Sequence, residues 1–235
     1  HNMVFTHECI SAFSKGIEVK KVEFNDSDGW RESLVSKLKN VEFLSFIEHL
    51  KEIQTYHFSH VKDVLIKSKT ADIEDNFELR YDGRNLASLL YLLKEEHQQI
   101  YSRIIKIIQE ALPEFKTFIL KPHVLNQEEI ALKWMMVNDT NIYPINLLSD
   151  STVRFIALIT GLMQVNPPKI LLIDEPELGL SHNVLNLLCK IIQELTDVTQ
   201  ILLATQSEDF SLFSQESFKI KVTKEENKSN YKTFT

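Results

Sequence analysis

Residues 169–176 read Lys169-Ile170-Leu171-Leu172-Ile173-Asp174-Glu175-Pro176, a short apolar run that ends in two adjacent carboxylates. Ile170 to Ile173 has the length and composition of a strand buried on both faces, as in a parallel sheet. Unpaired acids inside such a strand would be costly, so they are expected where the strand leaves the core. In an open α/β sheet the carboxyl ends of the strands border the ligand crevice. Two carboxylates there suit nucleotide hydrolysis, the first holding Mg²⁺ and the second orienting or activating water. The same pattern also occurs where a strand gives way to a helix, because acids suit the helix dipole. The neighbouring segments favour the first reading. Upstream, Leu147-Leu148-Ser149-Asp150-Ser151-Thr152 opens an apolar helical run. Downstream, Gln200-Ile201-Leu202-Leu203-Ala204-Thr205-Gln206-Ser207 is a second apolar strand that ends in polar side chains.

These segments together resemble the RecF/SMC/OLD group of ABC-type ATPases. LLSDSTVRFIALITGLM (147–163) is similar to the group's signature segment, KILLIDEPELGL (169–180) to its Walker B strand and D-loop, and ILLATQSEDF (201–210) to its switch strand. Tyr56-His57-Phe58, Asp72-Ile73-Glu74-Asp75-Asn76 and Gly83-Arg84-Asn85-Leu86-Ala87 are similar to segments of one branch, the bacterial AAA family ATPases. The resemblance covers roughly residues 50 to 235. It implies an α/β fold, P-loop NTPase-like and of the ABC/RecF type: a parallel sheet flanked by helices, with a helical lobe carrying the signature. It implies ATP and Mg²⁺ as cofactors, with Asp174 as the metal ligand, Glu175 polarising water and Gln206 sensing the γ-phosphate. It also implies that Ser149, Asp150 and Ser151 dock on nucleotide held by an opposite subunit. A homodimer, or a partner chain supplying the phosphate loop, and DNA are the partners it suggests, in DNA-associated or phage-defence processes.

The sequence departs from the group at named places. None of the 5 glycines precedes a Lys-Ser or Lys-Thr pair, so the G-x-x-x-x-G-K-[ST] phosphate cradle does not occur. The chain therefore reads as the C-terminal part of such an ATPase, without the N-terminal phosphate-loop portion. The resemblance sets the missing strand beside the 169–174 strand. Its absence is expected to leave a gap or an exposed apolar edge there, closed by dimerisation, a borrowed strand or rearrangement. Ser151 stands where the group has glycine, the D-loop histidine is displaced to His182, and Glu208 replaces a common proline. The missing cradle leaves a second reading open, a non-catalytic interaction module on the ATPase fold. A metal-dependent nuclease using Asp174 and Glu175 is a third, and it lacks a further acidic cluster.

Composition limits the remaining choices. With 235 residues, 43% of them hydrophobic, the chain can bury a substantial core, and its net charge of -7 argues against a broadly basic nucleic-acid surface. No apolar run reaches the length of a membrane span and no secretory signal leads the chain, which places it in the cytoplasm. His1-Asn2-Met3 reads as extra residues before an internal start, outside the fold. Cys9 and Cys189 read as buried free thiols. Three regions are expected: an N-terminal helical and irregular segment (1–83), a helical lobe with a hairpin (84–148), and the signature, Walker B and switch half of the core (149–235).

Within them, residues 16–24 alternate as a strand, and Asn25-Asp26-Ser27-Asp28-Gly29 reads as a turn with Ser27 or Asp28 capping a helix over 30–39. A helical stripe runs from Phe43 to Ile53, and 59–82 reads as irregular. His57 and His60 suit a structural or nucleotide-adjacent role better than a shared metal. Helices are expected over 85–93 and 96–112, with a hairpin across 115–137. Ser149 is expected to cap a helix over 152–165 and Ser181 one over 184–195. Arg154 reads as pairing with an acid, a phosphate or a solvent-facing partner. Edge strands are expected over 218–222 and 231–234.

Overall fold

The computed structural model describes residues 5–14, 17–30, 52–207, 219–225 and 228–234. The chain divides into two compact units, residues 1–53 and 54–235. In the first unit, β1 (Phe5–Ser14) pairs antiparallel with β2 (Ile17–Trp30). The expected turn at Asn25–Gly29 lies inside β2. The register there jumps from Phe5 opposite Trp30 to His7 opposite Asn25, so the Gly- and Asp-rich residues form an irregularity in a ladder rather than a chain reversal. The helices expected over 30–39 and from Phe43 lie outside the described residues, except that Ile53 opens a strand.

The second unit is built around α4. Its elements in order are β3 (Ile53–Tyr56), α1 (Val61–Ser68), β4 (Ala71–Asp72), α2 (Leu86–Glu96), α3 (Gln98–Ala111), β5 (Phe115–Ile119), β6 (Glu129–Ile130), β7 (Lys133–Met136) and β8 (Ile142–Pro144). There follow a 3-10 turn (Ile145–Leu147), α4 (Asp150–Leu162), β9 (Ile170–Asp174), α5 (His182–Leu195), β10 (Gln200–Ala204), β11 (Lys219–Glu225) and β12 (Lys228–Phe234). Every residue of α4 from Val153 to Leu162 is buried. A helix apolar nearly all round must be covered on all sides, and α4 packs against α1, α2, α3 and α5. Gly161 allows one of these approaches: a Cβ built there would stand 2.6 Å from Tyr56 Cε2. At the end of the helix, Gln164 is buried and satisfied. Its Oε1 accepts from Leu79 N at 3.0 Å, and its Nε2 donates to Gln54 Oε1 at 2.9 Å and to Tyr56 Oη at 3.2 Å. Each of these polar atoms has a partner, so the network fixes β3 on the helix without leaving a buried donor unpaired.

The central sheet has the order β10-β9-β3. β9 and β10 are parallel, in the register Ile170 with Gln200 to Asp174 with Ala204. Leu171 and Ile173 are buried, whereas Ile170 and Leu172 are only half-buried and Leu202 is 44% exposed. The two-sided burial expected of 170–173 therefore holds on one face only. The exposed edge was also expected in the wrong place. β9 has a neighbour on each side, and the edge strands of this sheet among those described are β10 and β3.

Other expectations fare unevenly. The segment 59–82 is not irregular throughout: α1 buries Val61 and Leu65, and β4 pairs with β6. The helical pair falls at 86–96 and 98–111, broken at His97. The hairpin is present as β5 with β7, and β8 extends it. The final strands pair antiparallel as β11 and β12. Of the two free thiols expected to be buried, Cys9 is exposed. Cys189 is buried, which pushes its thiol up to about 11 and leaves it unreactive at neutral pH.

Candidate functional site

The site forms where β9 and β10 end. Glu175 lies one residue beyond β9, with φ 46, a left-handed backbone that glutamate seldom adopts. Two hydrogen bonds hold it there: its N–H donates to Ala204 O at 2.8 Å, extending the β9–β10 pairing, and its carbonyl accepts from Leu178 N at 3.2 Å. The twist turns the carboxylate toward β10, where Gln206 Nε2 donates to Glu175 Oε1 at 2.5 Å. Backbone strain kept at one polar position, with a charge-assisted contact to fix it, is typical of functional sites.

Glu177, which sequence reasoning passed over, joins the loop after β9 to the residues after β10. Its Oε1 accepts from Thr205 Oγ1 at 2.6 Å and from Gln206 N at 3.2 Å. Its Oε2 is buried and has no hydrogen-bond partner among the described residues. The repeated acid in Glu175-Pro176-Glu177 was the one signal available in the sequence.

Asp174 also meets a residue from a distant part of the chain. His57 Nδ1 stands 3.0 Å from Asp174 Oδ2, and both side chains are about half exposed, 49% and 51%. His57 follows β3 and lies between two buried aromatics, Tyr56 and Phe58, whose rings stack at 4.9 Å. Strand alternation sends its neighbours inward and His57 outward. His60 faces its own helix instead, 4.0 Å from Asp63. The two histidines thus face different acids, and His57 lies beside Asp174 at the end of the central strand.

Ser149, Asp150 and Ser151 lie at the start of α4. Ser149 has the extended backbone of an N-cap, and its Oγ accepts from Thr152 N at 3.1 Å, as expected. The same Oγ is 3.0 Å from Ser151 Oγ and 2.7 Å from Thr152 Oγ1. Asp150 pairs with Lys62 Nζ of α1 at 2.9 Å. Ser149→Ala removes the cap and should cost about 1 kcal/mol, measured as a shift in the urea midpoint at constant slope. A stability equal to wild type would show that Thr152 alone suffices. Ser181, in contrast, occupies the N-cap position of α5 without a side-chain cap bond, a correction to the expected role.

Arg154 also differs from expectation. It is neither solvent-facing nor paired with an acid. It is buried, and its guanidinium donates to three backbone carbonyls: Phe58 at 3.2 Å, Ser59 at 3.1 Å and Leu178 at 2.8 Å. Burial lowers its pKa from the usual arginine value, and Glu175 and Asp150 act in the opposite direction. An arginine stays charged under such a shift. The loop after β9 and the loop after β3 are thus held by one side chain of α4. Beside them, a Cβ on Gly179 (φ +78) would lie 3.2 Å from Ser151 Cβ, so the start of α4 and the loop after β9 abut. A cleft of about 180 Å³ separates the start of α4 from the start of α5, lined by Ser151 and Thr152 on one side and Leu180 and Ser181 on the other.

Asp174, Glu175 and Gln206 thus meet at the strand ends, and Ser149, Asp150 and Ser151 form a separate helix tip. Residues 18–211 match the model of the AAA_21 family, described as an AAA domain, putative AbiEii toxin, Type IV TA system. The chain belongs to that family. No curated protein matches it. Among solved structures it is similar to an SMC head bound to the C-winged helix domain of ScpA, at 12% identity and a TM-score of 0.58, covering 77% of this chain and 55% of that one. Weaker likenesses include a structure from work on ATP-driven dimerization and DNA-stimulated activation of SMC ATPases (13% identity, TM-score 0.48, 62% and 89% covered) and the SMC head domain from Thermotoga maritima (13%, 0.40, 63% and 52%). The first likeness supports the fold, and the chain spans about half the length of that SMC head. The AAA_21 assignment and the SMC-like fold together make this an ATPase-type α/β domain. No helix among the described residues is long and apolar enough to cross a membrane.

Proposed function

We propose that this AAA_21 chain supplies the signature, Walker B and switch portion of an ATP-binding and ATP-hydrolysing machine of the RecF/SMC kind. The observation that carries this reading is the strained Glu175 at the end of the central strand, fixed by Gln206 at 2.5 Å. A structural acid at a strand end would gain nothing from a left-handed backbone, whereas a residue that must aim a carboxylate at a reacting water would. Glu175 polarises that water and Gln206 reports the γ-phosphate to it.

The residues present fit Mg²⁺: Asp174 offers a half-exposed carboxylate at the strand end, a hard oxygen donor with space around it for phosphate and water ligands. The ion would supply charge stabilisation at the phosphates. Ser149, Asp150 and Ser151 present the N-terminus of α4 to nucleotide held by an opposite subunit, since free N–H groups there attract phosphate. The phosphate loop then comes from residues outside this sequence, on the same protein or on a partner. The assembly is an ATP-gated dimer serving a DNA-associated or phage-defence process. The sequence's lack of a phosphate cradle and Ser151 at the signature favour the second reading, a non-catalytic interaction module.

Calorimetric titration with Mg²⁺ and a slowly hydrolysed ATP analogue separates the two. Binding at micromolar concentration, retained in Glu175→Gln, is the expected result once the phosphate loop is present. Absence of binding in that assembly would leave only the interaction module.

A further inference from the structure

We propose that His57 joins Asp174 as a direct nitrogen ligand of the divalent cation, so that this site selects a transition-metal ion such as Mn²⁺ over Mg²⁺. The inference rests on the ATPase reading only in taking Asp174 as a metal ligand.

The geometry has two parts. His57 Nδ1 and Asp174 Oδ2 are 3.0 Å apart. That is a hydrogen-bond length, and it is also the separation of two adjacent donors on an octahedral ion, because bonds of about 2.1 Å at right angles place their ends about 3.0 Å apart. A cation can therefore be held between the two atoms with little movement of either side chain. The histidine is also preorganised. Tyr56 and Phe58 anchor the backbone on both sides of it, and Arg154 holds the Phe58 and Ser59 carbonyls. A ligand on so rigid a support loses little freedom on binding.

The chemistry sets the selectivity. Mg²⁺ prefers oxygen donors and keeps its waters, whereas an imidazole nitrogen suits the first-row transition ions, Fe²⁺, Ni²⁺, Cu²⁺ and Zn²⁺ most and Mn²⁺ least. One carboxylate with one imidazole shifts the preference toward the second group. Among the described residues no cluster of three or more histidine, cysteine or carboxylate side chains forms a closed metal cage. Such an open pair leaves positions for phosphate oxygens and water, as a nucleotide-handling site requires.

The test is Mn²⁺ titration of the whole chain without nucleotide, followed by electron paramagnetic resonance, with Mg²⁺ as competitor. The expected result is Mn²⁺ binding at least ~10-fold tighter than Mg²⁺, with nitrogen-14 modulation of the bound Mn²⁺ in electron spin-echo spectra. His57→Gln, which places an oxygen donor on the same half-exposed side chain, should abolish the nitrogen signal and bring the two ions within about threefold of each other. Asp174→Asn should abolish specific Mn²⁺ binding. Bound Mn²⁺ that depends on Asp174 but carries no nitrogen signal would show that His57 only orients the carboxylate. That outcome overturns the proposal and leaves the ATPase reading standing. Equal affinity for the two ions, or no Mn²⁺ binding, also overturns it. Binding unaffected by Asp174→Asn would place the ion elsewhere and count against both readings.

Discussion

Arg154→Met is expected to lower the unfolding free energy by about 3–5 kcal/mol, because it strands the Phe58 carbonyl in a buried setting and those of Ser59 and Leu178 in part-buried ones. For a chain of this size that corresponds to a fall in melting temperature of roughly 10 °C. Methionine fills much of the arginine stem's volume, so the loss reports the hydrogen bonds rather than a cavity. Arg154→Lys should recover only part of it, since an ammonium cannot span three carbonyls lying in different directions as a planar guanidinium does. Differential scanning calorimetry of the two variants checks both statements. A loss under 1 kcal/mol for Arg154→Met would mean that water or rearranged backbone satisfies those carbonyls, and the clamp linking α4 to both loops would have to be abandoned.

The second large effect concerns turnover. In the assembly that binds MgATP, Glu175→Gln should lower the hydrolysis rate by about 10²–10⁴-fold while nucleotide still binds, the usual contribution of a positioned general base. A companion variant separates function from structure. Glu175→Gly relieves the left-handed backbone at φ 46 and gives up the bond from Gln206, so its melting temperature should stay within a few degrees of wild type. Its turnover should fall with that of the glutamine variant. Undiminished hydrolysis in either variant would remove Glu175 from the reaction. A large loss of stability in the glycine variant would recast it as a structural residue.

The elements legible in the sequence were those whose signals are local. The β9 and β10 strands announced themselves as short apolar runs ending in polar residues, and Ser149 as a cap one turn before an apolar helix. The β11–β12 pair was legible from alternation around a polar turn. Local signals failed where few residues carried them. α1 shows only Val61 and Leu65 to the core over its 8 residues, too sparse a stripe to identify a helix. Arg154 carries no local cue to its burial, because its partners are backbone carbonyls up to 96 positions away. The contact between His57 and Asp174 was equally hidden, since it depends on which strand adjoins β9. Of the candidate site, the types and order of the residues were legible. The contacts that aim them were not.

The placement of β3 beside β9 also shapes how the protein is made. β3 and the end of α4 meet through Gln54 and Gln164, 110 positions apart, and β9 begins only after that helix. At ribosomal speeds of about 5–20 residues per second, β3 waits roughly 6–20 s after leaving the exit tunnel before its sheet neighbour emerges. β9, α5 and β10 can meanwhile close as a local unit as soon as they are synthesised. The contact between His57 and Asp174 can form only once β9 has been made, so it is missing throughout that interval.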